Sequence, residues 1–221
     1  MGQKKVFIIH TSAVSMTELL RLFAELAPEV VVRNIMDDSL LPDVIENGGV
    51  TDAVMQRLAT YAKMAELAGA DLIFTQCSSV GEAADKAAEE VAVPLVKIDE
   101  RMAEAACEIG RRICVIATLK TTLGPTCRLV QKTAERMGKQ IEIVEKLCEG
   151  AFDKLIAGDR RGHNAMVLEG IHELAEQTDV VVCAQGSMMA LLDELGETKV
   201  PVLTSPRLGV EKAVQVLRAQ T

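Results

Sequence analysis

Ala70-Asp71-Leu-Ile-Phe-Thr-Gln-Cys77-Ser78-Ser79 recurs 108 positions later as Thr178-Asp179-Val-Val-Val-Cys-Ala-Gln185-Gly186-Ser187. In both copies an aspartate precedes an apolar run typical of a buried strand, and a serine follows it. A second pair agrees, because Lys5-Val-Phe-Ile-Ile-His10-Thr11 recurs 107 positions later as Arg112-Ile-Cys-Val-Ile-Ala117-Thr118. Since the two offsets nearly coincide, we interpret the chain as one structural unit written twice.

The segments between these matches predict an α/β fold. Strands are predicted at Val6–Ile9, Val30–Val32, Leu72–Thr75 and Leu95–Ile98, and again at Ile113–Ala117, Ile141–Val144, Val180–Cys183 and Val200–Leu203. Amphipathic helices are predicted at Ser15–Ala27, Val50–Ala68, Glu82–Glu90, Thr122–Met137, His163–Gln177, Ser187–Leu195 and Leu208–Ala219. Strands that alternate with helices form parallel sheets covered on both faces.

We therefore predict two pseudo-symmetric lobes, each a parallel sheet flanked by helices, with an active-site cleft between them. The first lobe is expected to span residues 1–98 and the second residues 99–206. The terminal helix, within residues 207–221, is expected to pack back on the first lobe.

Composition excludes several classes of protein. Net charge is −8 and aromatic residues are 2% of the chain, which disfavours both phosphate-backbone binding and base stacking. The apolar run Val6–Ile9 is too short for a signal peptide or a membrane span, so a cytoplasmic protein that binds no membrane is expected. The six cysteines form no C-x-x-C pair, so they are expected to stay reduced and no metal site is predicted.

Hydroxyl-rich segments follow the predicted strands. In parallel sheets ligands bind beyond the carboxyl ends of the strands, where helix N-termini also favour anions. Four such ends supply the candidate binding residues: His10, Thr11 and Ser12; Ser78 and Ser79; Thr118, Lys120, Thr121 and Thr122; and Gly186 and Ser187. His163, at a predicted helix start, is a further candidate. A site for a small carboxylate is the prediction.

Cys77 is the predicted reactive group. It follows a strand and stands where a helix begins, and such a position favours the thiolate over the thiol. Cys114 and Cys183 instead lie inside apolar strand runs, which is typical of inert thiols. Neither a G-x-G-x-x-G nor a phosphate-binding loop is present, so no nucleotide cofactor is indicated.

The pattern resembles the aspartate/glutamate/hydantoin racemase superfamily over nearly the whole chain. The resemblance rests on the segment ending at Cys77, on Ala117–Thr122, and on Leu147–Phe152 with Gly158-Asp159. It implies two pseudo-symmetric α/β lobes and no cofactor. It also implies that one cysteine from each lobe faces the α-carbon of the substrate, one removing a proton and the other returning one.

The chain departs from that family at the second cysteine. One internal repeat beyond Cys77 stands Gln185, whose amide has no proton to exchange near neutral pH, so racemisation by two thiols is not expected. Cys183, two residues earlier, has the same facing direction and is the alternative thiol. His10 stands where glutamate-specific members carry an acid, which disfavours free aspartate or glutamate as substrate.

The favoured function is a cofactor-independent, racemase-like isomerase that uses Cys77 at the carbon beside a carboxylate or imide of a small molecule, with Gln185 orienting the substrate. A single-cysteine lyase or decarboxylase and a cis–trans isomerase remain alternatives within the same superfamily. A non-catalytic protein that binds small anions is the alternative from another class. The sequence leaves homo-oligomerisation open.

Overall fold

The computed structural model describes residues 2–220, and over these residues it has two parallel sheets of four strands each. The chain divides into two compact units. The first comprises the chain up to Glu100 and the segment from Pro206 onwards, and the second is Arg101–Ser205. One sheet lies in each unit, with helices on its faces, which confirms the predicted α/β class. Within residues 2–220 no helix is both long and apolar enough to cross a membrane.

The first unit has the strand order β2-β1-β3-β4. Its strands are β1 (Lys5–His10), β2 (Val31–Met36), β3 (Leu72–Thr75) and β4 (Leu95–Lys97). The helices between them are α1 (Met16–Leu26), α2 (Leu40–Glu46), α3 (Asp52–Leu67) and α4 (Gly81–Ala88), and a 3₁₀ helix, Ser78–Val80, precedes α4.

The second unit repeats this plan in the order β6-β5-β7-β8. Helix α5 (Glu100–Ile109) leads into β5 (Arg112–Ala117), and α6 (Lys120–Arg136) leads into β6 (Glu142–Leu147). Then follow α7 (Ala151–Ile156), α8 (Arg160–Ala175), β7 (Val180–Cys183), a 3₁₀ helix at Gly186–Leu191, β8 (Val202–Thr204) and α9 (Ser205–Ala219).

The register of the two sheets establishes which residues correspond. Ile9 pairs with Thr75 in the first sheet, and Ile116 pairs with Cys183 in the second. Two residues further along each strand stand Thr11 and Cys77 in one unit and Thr118 and Gln185 in the other. The internal duplication read from the sequence is therefore a duplication of strand register, and Gln185 is the positional equivalent of Cys77.

The sequence prediction missed three helices: α2, α5 and α7. Helix α5 carries a recognisable signal, because Met102, Ala103 and Ala106 recur at helical spacing and are all buried. The helix predicted at Ser187–Leu195 is instead the 3₁₀ helix Gly186–Leu191. Its three-residue period places Met188 and Leu191 on the same side, and both are buried in the core.

Helix α9 belongs to the core of the first unit. Val210, Ala213, Val214 and Leu217 pack in one apolar cluster with Val6 and Ile8 of β1 and with the apolar face of α1. The approach is close at Gly209, where an added Cβ would lie 2.4 Å from the carbonyl oxygen of Ile98. A glycine is therefore required for the backbones to meet.

Replacing Gly209 with alanine should destabilise the protein, although alanine in an exposed helix is normally preferred over glycine by about 1 kcal/mol. The Cβ would meet backbone atoms that cannot rotate away, and overpacking of this kind costs about 1–3 kcal/mol. Urea denaturation of Gly209→Ala measures the change. Gly49→Ala is the matched control, because no atom lies within 4 Å of its added Cβ. Equal or higher stability of Gly209→Ala would contradict the close approach.

Candidate active site

The strand order of the first sheet creates a crevice at its carboxyl edge. From β1 the chain crosses to β2 on one side, and the later strand β3 joins β1 on the other side. The loops after β1 and β3 therefore diverge, and ligands in open α/β sheets bind at such switch points. Thr11 follows β1 and Cys77 follows β3, and strand alternation directs both to the same face of the sheet.

Gln76 ties these two loops together. Its amide nitrogen donates to Thr11 Oγ1 and to the Ser12 carbonyl, each at 3.5 Å, and its amide oxygen accepts from Ser15 Oγ at 3.1 Å. Gln76 is buried, so these hydrogen bonds fix the loop geometry in a place that water does not reach. Thr11 accepts the bond from Gln76 and can still donate its own hydroxyl proton.

Cys77 differs from the other five cysteines of residues 2–220 because it alone is partly exposed. Burial raises the pKa of Cys114, Cys127 and Cys183 to about 12, and it also raises the pKa values of Cys107 and Cys148. Those five thiols therefore stay protonated and covered at neutral pH. Among the thiols, only Cys77 has both a position at the carboxyl edge and access to a ligand.

Asp99 is a part of this edge that the sequence prediction missed. It follows β4, is fully buried, and hydrogen bonds to Ser78, the residue after Cys77. Burial raises the pKa of its carboxyl group, and the bond to Ser78 offsets this only in part. Its Oδ1 has no hydrogen-bond partner. The signal was available, since Asp99 is a carboxylate residue directly after a predicted strand.

His10 lies at the same edge but belongs to the other face of the sheet. Alternation along β1 places it with Val6 and Ile8, away from the face of Thr11 and Cys77. Its side chain is fully buried, Nε2 lies 2.8 Å from Asn34 Oδ1, and burial lowers the pKa of the imidazole. The neutral ring is therefore a packed, hydrogen-bonded group rather than a neighbour of Cys77.

In the second unit, Gln185 bridges the ends of β5 and β7. Its Oε1 accepts from the backbone nitrogen of Thr118 at 2.6 Å and from Thr118 Oγ1 at 2.9 Å. Two donors on one oxygen fix the orientation of the amide. Cys183, by contrast, is fully buried at the register position of Thr75, inside the apolar cluster beneath α8. That burial argues against Cys183 as an acid–base group.

The helices that follow the strand ends have no side-chain hydrogen bond from their N-cap residues. Helix α6 begins at Lys120 with Leu119 as its N-cap and no side-chain cap, and the 3₁₀ helices after Cys77 and Gln185 also lack one. Thr121 Oγ1 is buried without a partner, whereas Lys120 is exposed. Ser12, Gly186 and Ser187 are partly exposed, and Ser78, Ser79, Thr118 and Thr122 are buried.

His163 lies in the first turn of α8 and is almost fully buried, at 1% exposure. Its Nδ1 lies 3.0 Å from Asn164 Oδ1, and Asn164 Nδ2 donates to Glu194 Oε1 at 2.6 Å. Its other ring nitrogen, Nε2, is buried without a partner. Within residues 2–220, no cluster of three or more histidine, cysteine or acidic side chains is arranged to hold a metal ion.

The fold consists of two duplicated parallel units, and each has polar groups at the switch point of its sheet. One unit also has an accessible thiol there. Together these features define a racemase-like enzyme. The family comparison agrees with this class: the chain matches the Asp/Glu/Hydantoin racemase model over residues 6–213 and belongs to that family. A search of curated proteins gave no match.

Solved structures share the fold at low sequence identity. A glutamate racemase from Bacillus anthracis has a TM-score of 0.77 at 15% identity, covering 100% of this chain and 84% of its own. The glutamate racemase from Francisella tularensis subsp. tularensis SCHU S4 in complex with D-glutamate has a TM-score of 0.77 at 13% identity, covering 100% and 83%. An allantoin racemase from Pseudomonas fluorescens has a TM-score of 0.70 at 15% identity, covering 98% and 92%. These similarities support the fold.

Cys77 should be the first of the six thiols to react with iodoacetamide in the folded protein. At pH 8 a thiol with a pKa of about 12, such as that of Cys114, is ionised in only about one molecule in 10⁴, and it is covered as well. A mass-spectrometric time course on native protein measures all six sites at once. Earlier labelling of Cys107 or Cys127 than of Cys77 would contradict the prediction.

Asp99→Asn should gain stability over the wild type as pH rises. The native state raises the pKa of Asp99 above the ordinary value of 3.8 and so binds its proton more tightly than the unfolded chain. That contribution is fully present below 3.8 and is lost as pH rises through the native value. Asparagine keeps the hydrogen-bonding shape and cannot ionise, so its advantage should grow from pH 4 towards pH 8.

Urea denaturation across this pH range tests the prediction. Asp38→Asn, at an exposed position in the same unit, is the control and should track the wild type. Parallel stability curves for wild type and Asp99→Asn would show that Asp99 is not held protonated.

Proposed function

We propose that this protein is a cofactor-independent, racemase-like isomerase that acts at a carbon beside the carboxylate or imide of a small molecule, with Cys77 as an acid–base group. The observation that carries the proposal is the position of Cys77: it is the partly exposed thiol at the switch point of a parallel sheet. Membership of the Asp/Glu/Hydantoin racemase family supports this class of reaction.

The substrate class follows from the groups around the strand ends. Hydroxyls and backbone N–H groups dominate there, and among the strand-end candidates only Lys120 carries a full positive charge. Such groups favour a small anion or polarised carbonyl held by hydrogen bonds over a multiply charged ligand. Two structurally similar proteins are a glutamate racemase and an allantoin racemase. Glutamate and allantoin are therefore tested first, as examples of the carboxylate and imide classes.

The chemistry assigned to Cys77 is a proton transfer at carbon. As thiolate it removes the α-proton, and the electron pair of the C–H bond delocalises onto the neighbouring carboxylate or imide. As thiol it returns a proton to that carbanion. Fixed N–H donors at the strand ends stabilise the negative charge as it develops on oxygen. Well-placed acid–base groups contribute about 10²–10⁴-fold to such steps.

Gln185 limits how far the family mechanism can be transferred. It occupies the register position of a second thiol, and its amide oxygen is engaged by Thr118. We assign it a role in orienting the substrate rather than in moving protons. The same observation supports one alternative, a single-thiol decarboxylase, in which Cys77 protonates the carbanion that remains after loss of carbon dioxide.

The test is an isotope-exchange screen in deuterated water. Single enantiomers of glutamate, aspartate, allantoin and 5-substituted hydantoins are incubated with the protein, and proton NMR follows loss of the α-proton. We expect exchange with at least one of these compounds, and a decrease of about 10²-fold or more in Cys77→Ser.

Cys107→Ala is the matched control, because it removes a thiol of the second unit that lies beside the amino end of β5, away from the carboxyl edge. It should exchange at the wild-type rate. Exchange that survives in Cys77→Ser would refute the role of the thiol. Release of carbon dioxide from substituted malonates, without exchange at any amino acid or hydantoin, would contradict racemisation and support the decarboxylase alternative.

A further inference from the structure

The acid Asp99 stands level with Cys77 on the neighbouring strand of the first sheet. Thr75 of β3 pairs with Lys97 of β4, so two residues further along each strand Cys77 is matched with Asp99. The backbone pairing continues past the end of β4, because the Ile98 nitrogen donates to the Thr75 carbonyl at 3.0 Å. The sheet register therefore brings an acid to the strand end next to the reactive thiol.

Asp99 is bonded to the residue that follows Cys77. Its carboxyl group hydrogen bonds to the side chain of Ser78, and both residues are buried. Ser78 opens the short 3₁₀ helix, and the Val80 nitrogen donates to the Cys77 carbonyl at 3.3 Å, so Cys77 belongs to the same turn. A hydrogen bond kept away from water is electrostatically stronger than one at the surface. The bond therefore fixes the turn that carries the thiol.

In the second unit the thiol, the serine and the acid are all replaced at the corresponding positions. Cys183 pairs with Thr204, so Gln185 stands level with Pro206. The residue after Gln185 is Gly186, where the first unit has a serine. Neither glycine nor proline has a polar side chain. The two units share one backbone plan, and the serine–acid pair is present in the unit that has the thiol, so the shared plan does not require the pair.

An ion pair does not explain the buried acid either. Lys97, the buried cation of β4, is paired with Asp85 of α4 and so does not depend on Asp99 for a partner. Oδ1 of Asp99 has no hydrogen-bond partner, which is unfavourable in a buried group. Burial also raises the pKa of the Asp99 carboxyl group and so disfavours its charged form, which would repel a neighbouring thiolate. These features suit a group that serves Cys77 through hydrogen bonding.

We propose that Asp99, acting through Ser78, is the positioning residue that holds the Cys77 thiol at the crevice of the first sheet. The inference rests on the proposed function for its catalytic consequence, and it deepens that function by adding two groups that support the thiol without touching the substrate. Ser78 is one of the candidate binding residues, but its side chain is committed to Asp99. It therefore serves the thiol rather than the ligand.

The first experiment needs no substrate and follows iodoacetamide labelling of the native protein, site by site, by mass spectrometry. Ser78→Ala and Asp99→Ala should each accelerate labelling of Cys77 by about 3- to 10-fold, because loss of the hydrogen bond lets the turn open more often. The double variant should label no faster than either single one, since both remove the same bond. Asp99→Asn keeps an oxygen that accepts from Ser78 and should label as the wild type does.

The buried thiols report whether the opening is local. Cys107 lies on α5, the helix that begins directly after Asp99. If Asp99 only helped to start α5, or if the variants loosened the whole fold, Cys107 would label faster in parallel with Cys77. Under the proposal it labels at the wild-type rate. Thr75→Val is the matched control, because it removes a buried hydroxyl of β3 that has no partner and should leave the labelling of Cys77 unchanged.

The second experiment uses the substrate found in the exchange screen. Ser78→Ala and Asp99→Ala should lower kcat by about tenfold with KM unchanged, whereas Asp99→Asn should retain most of the wild-type kcat. A raised KM in Ser78→Ala would show that the serine binds substrate and would overturn the inference.

Three labelling results also overturn the inference alone: unchanged labelling of Cys77 in both alanine variants, effects that multiply in the double variant, or Asp99→Asn labelling as fast as Asp99→Ala. Acceleration of Cys107 in parallel with Cys77 overturns it as well. No exchange by the wild type with any compound overturns the proposed function, and the labelling rates then still decide whether the pair holds the thiol.

Discussion

Parallel pairing of β1 with β3, and of β5 with β7, is the constraint on which the rest of the structure depends. It brings residues that are far apart in sequence to the same edge of a sheet in a fixed register, Ile9 beside Thr75 and Ile116 beside Cys183. The candidate site residues are the ones that directly follow these paired residues at the end of each strand. Because both sheets use the same register, every group at one edge has a counterpart at the other, and any difference between the counterparts is a chemical difference.

Desolvation decides which groups at these edges can react. The strand cysteines are covered by helices, so the thiolate is disfavoured and the pKa of Cys183 rises to about 12. Cys77 lies just beyond the last strand residue, where the covering helix has not yet begun. The same physics raises the pKa of Asp99 and lowers that of His10, so burial favours the uncharged form of each group.

The duplication is symmetric in backbone and asymmetric in chemistry. A racemase has to handle a proton on each side of a planar carbanion, and the two copies of a duplicated fold offer equivalent positions for two such groups. In this chain one position has a thiol and the other an amide that is held by Thr118.

The sequence by itself determined the duplication, the eight strands, and the correspondence of Cys77 with Gln185, because buried parallel strands require apolar runs whose spacing can be compared directly. It did not reveal that Asp99 reaches Ser78, that His10 turns away from Cys77, or that Glu194 orients His163 through Asn164. Those relations depend on burial and on through-space approach between separate elements. Only the tertiary structure decided them, since the protonation and hydrogen bonding of a polar side chain follow from what packs around it.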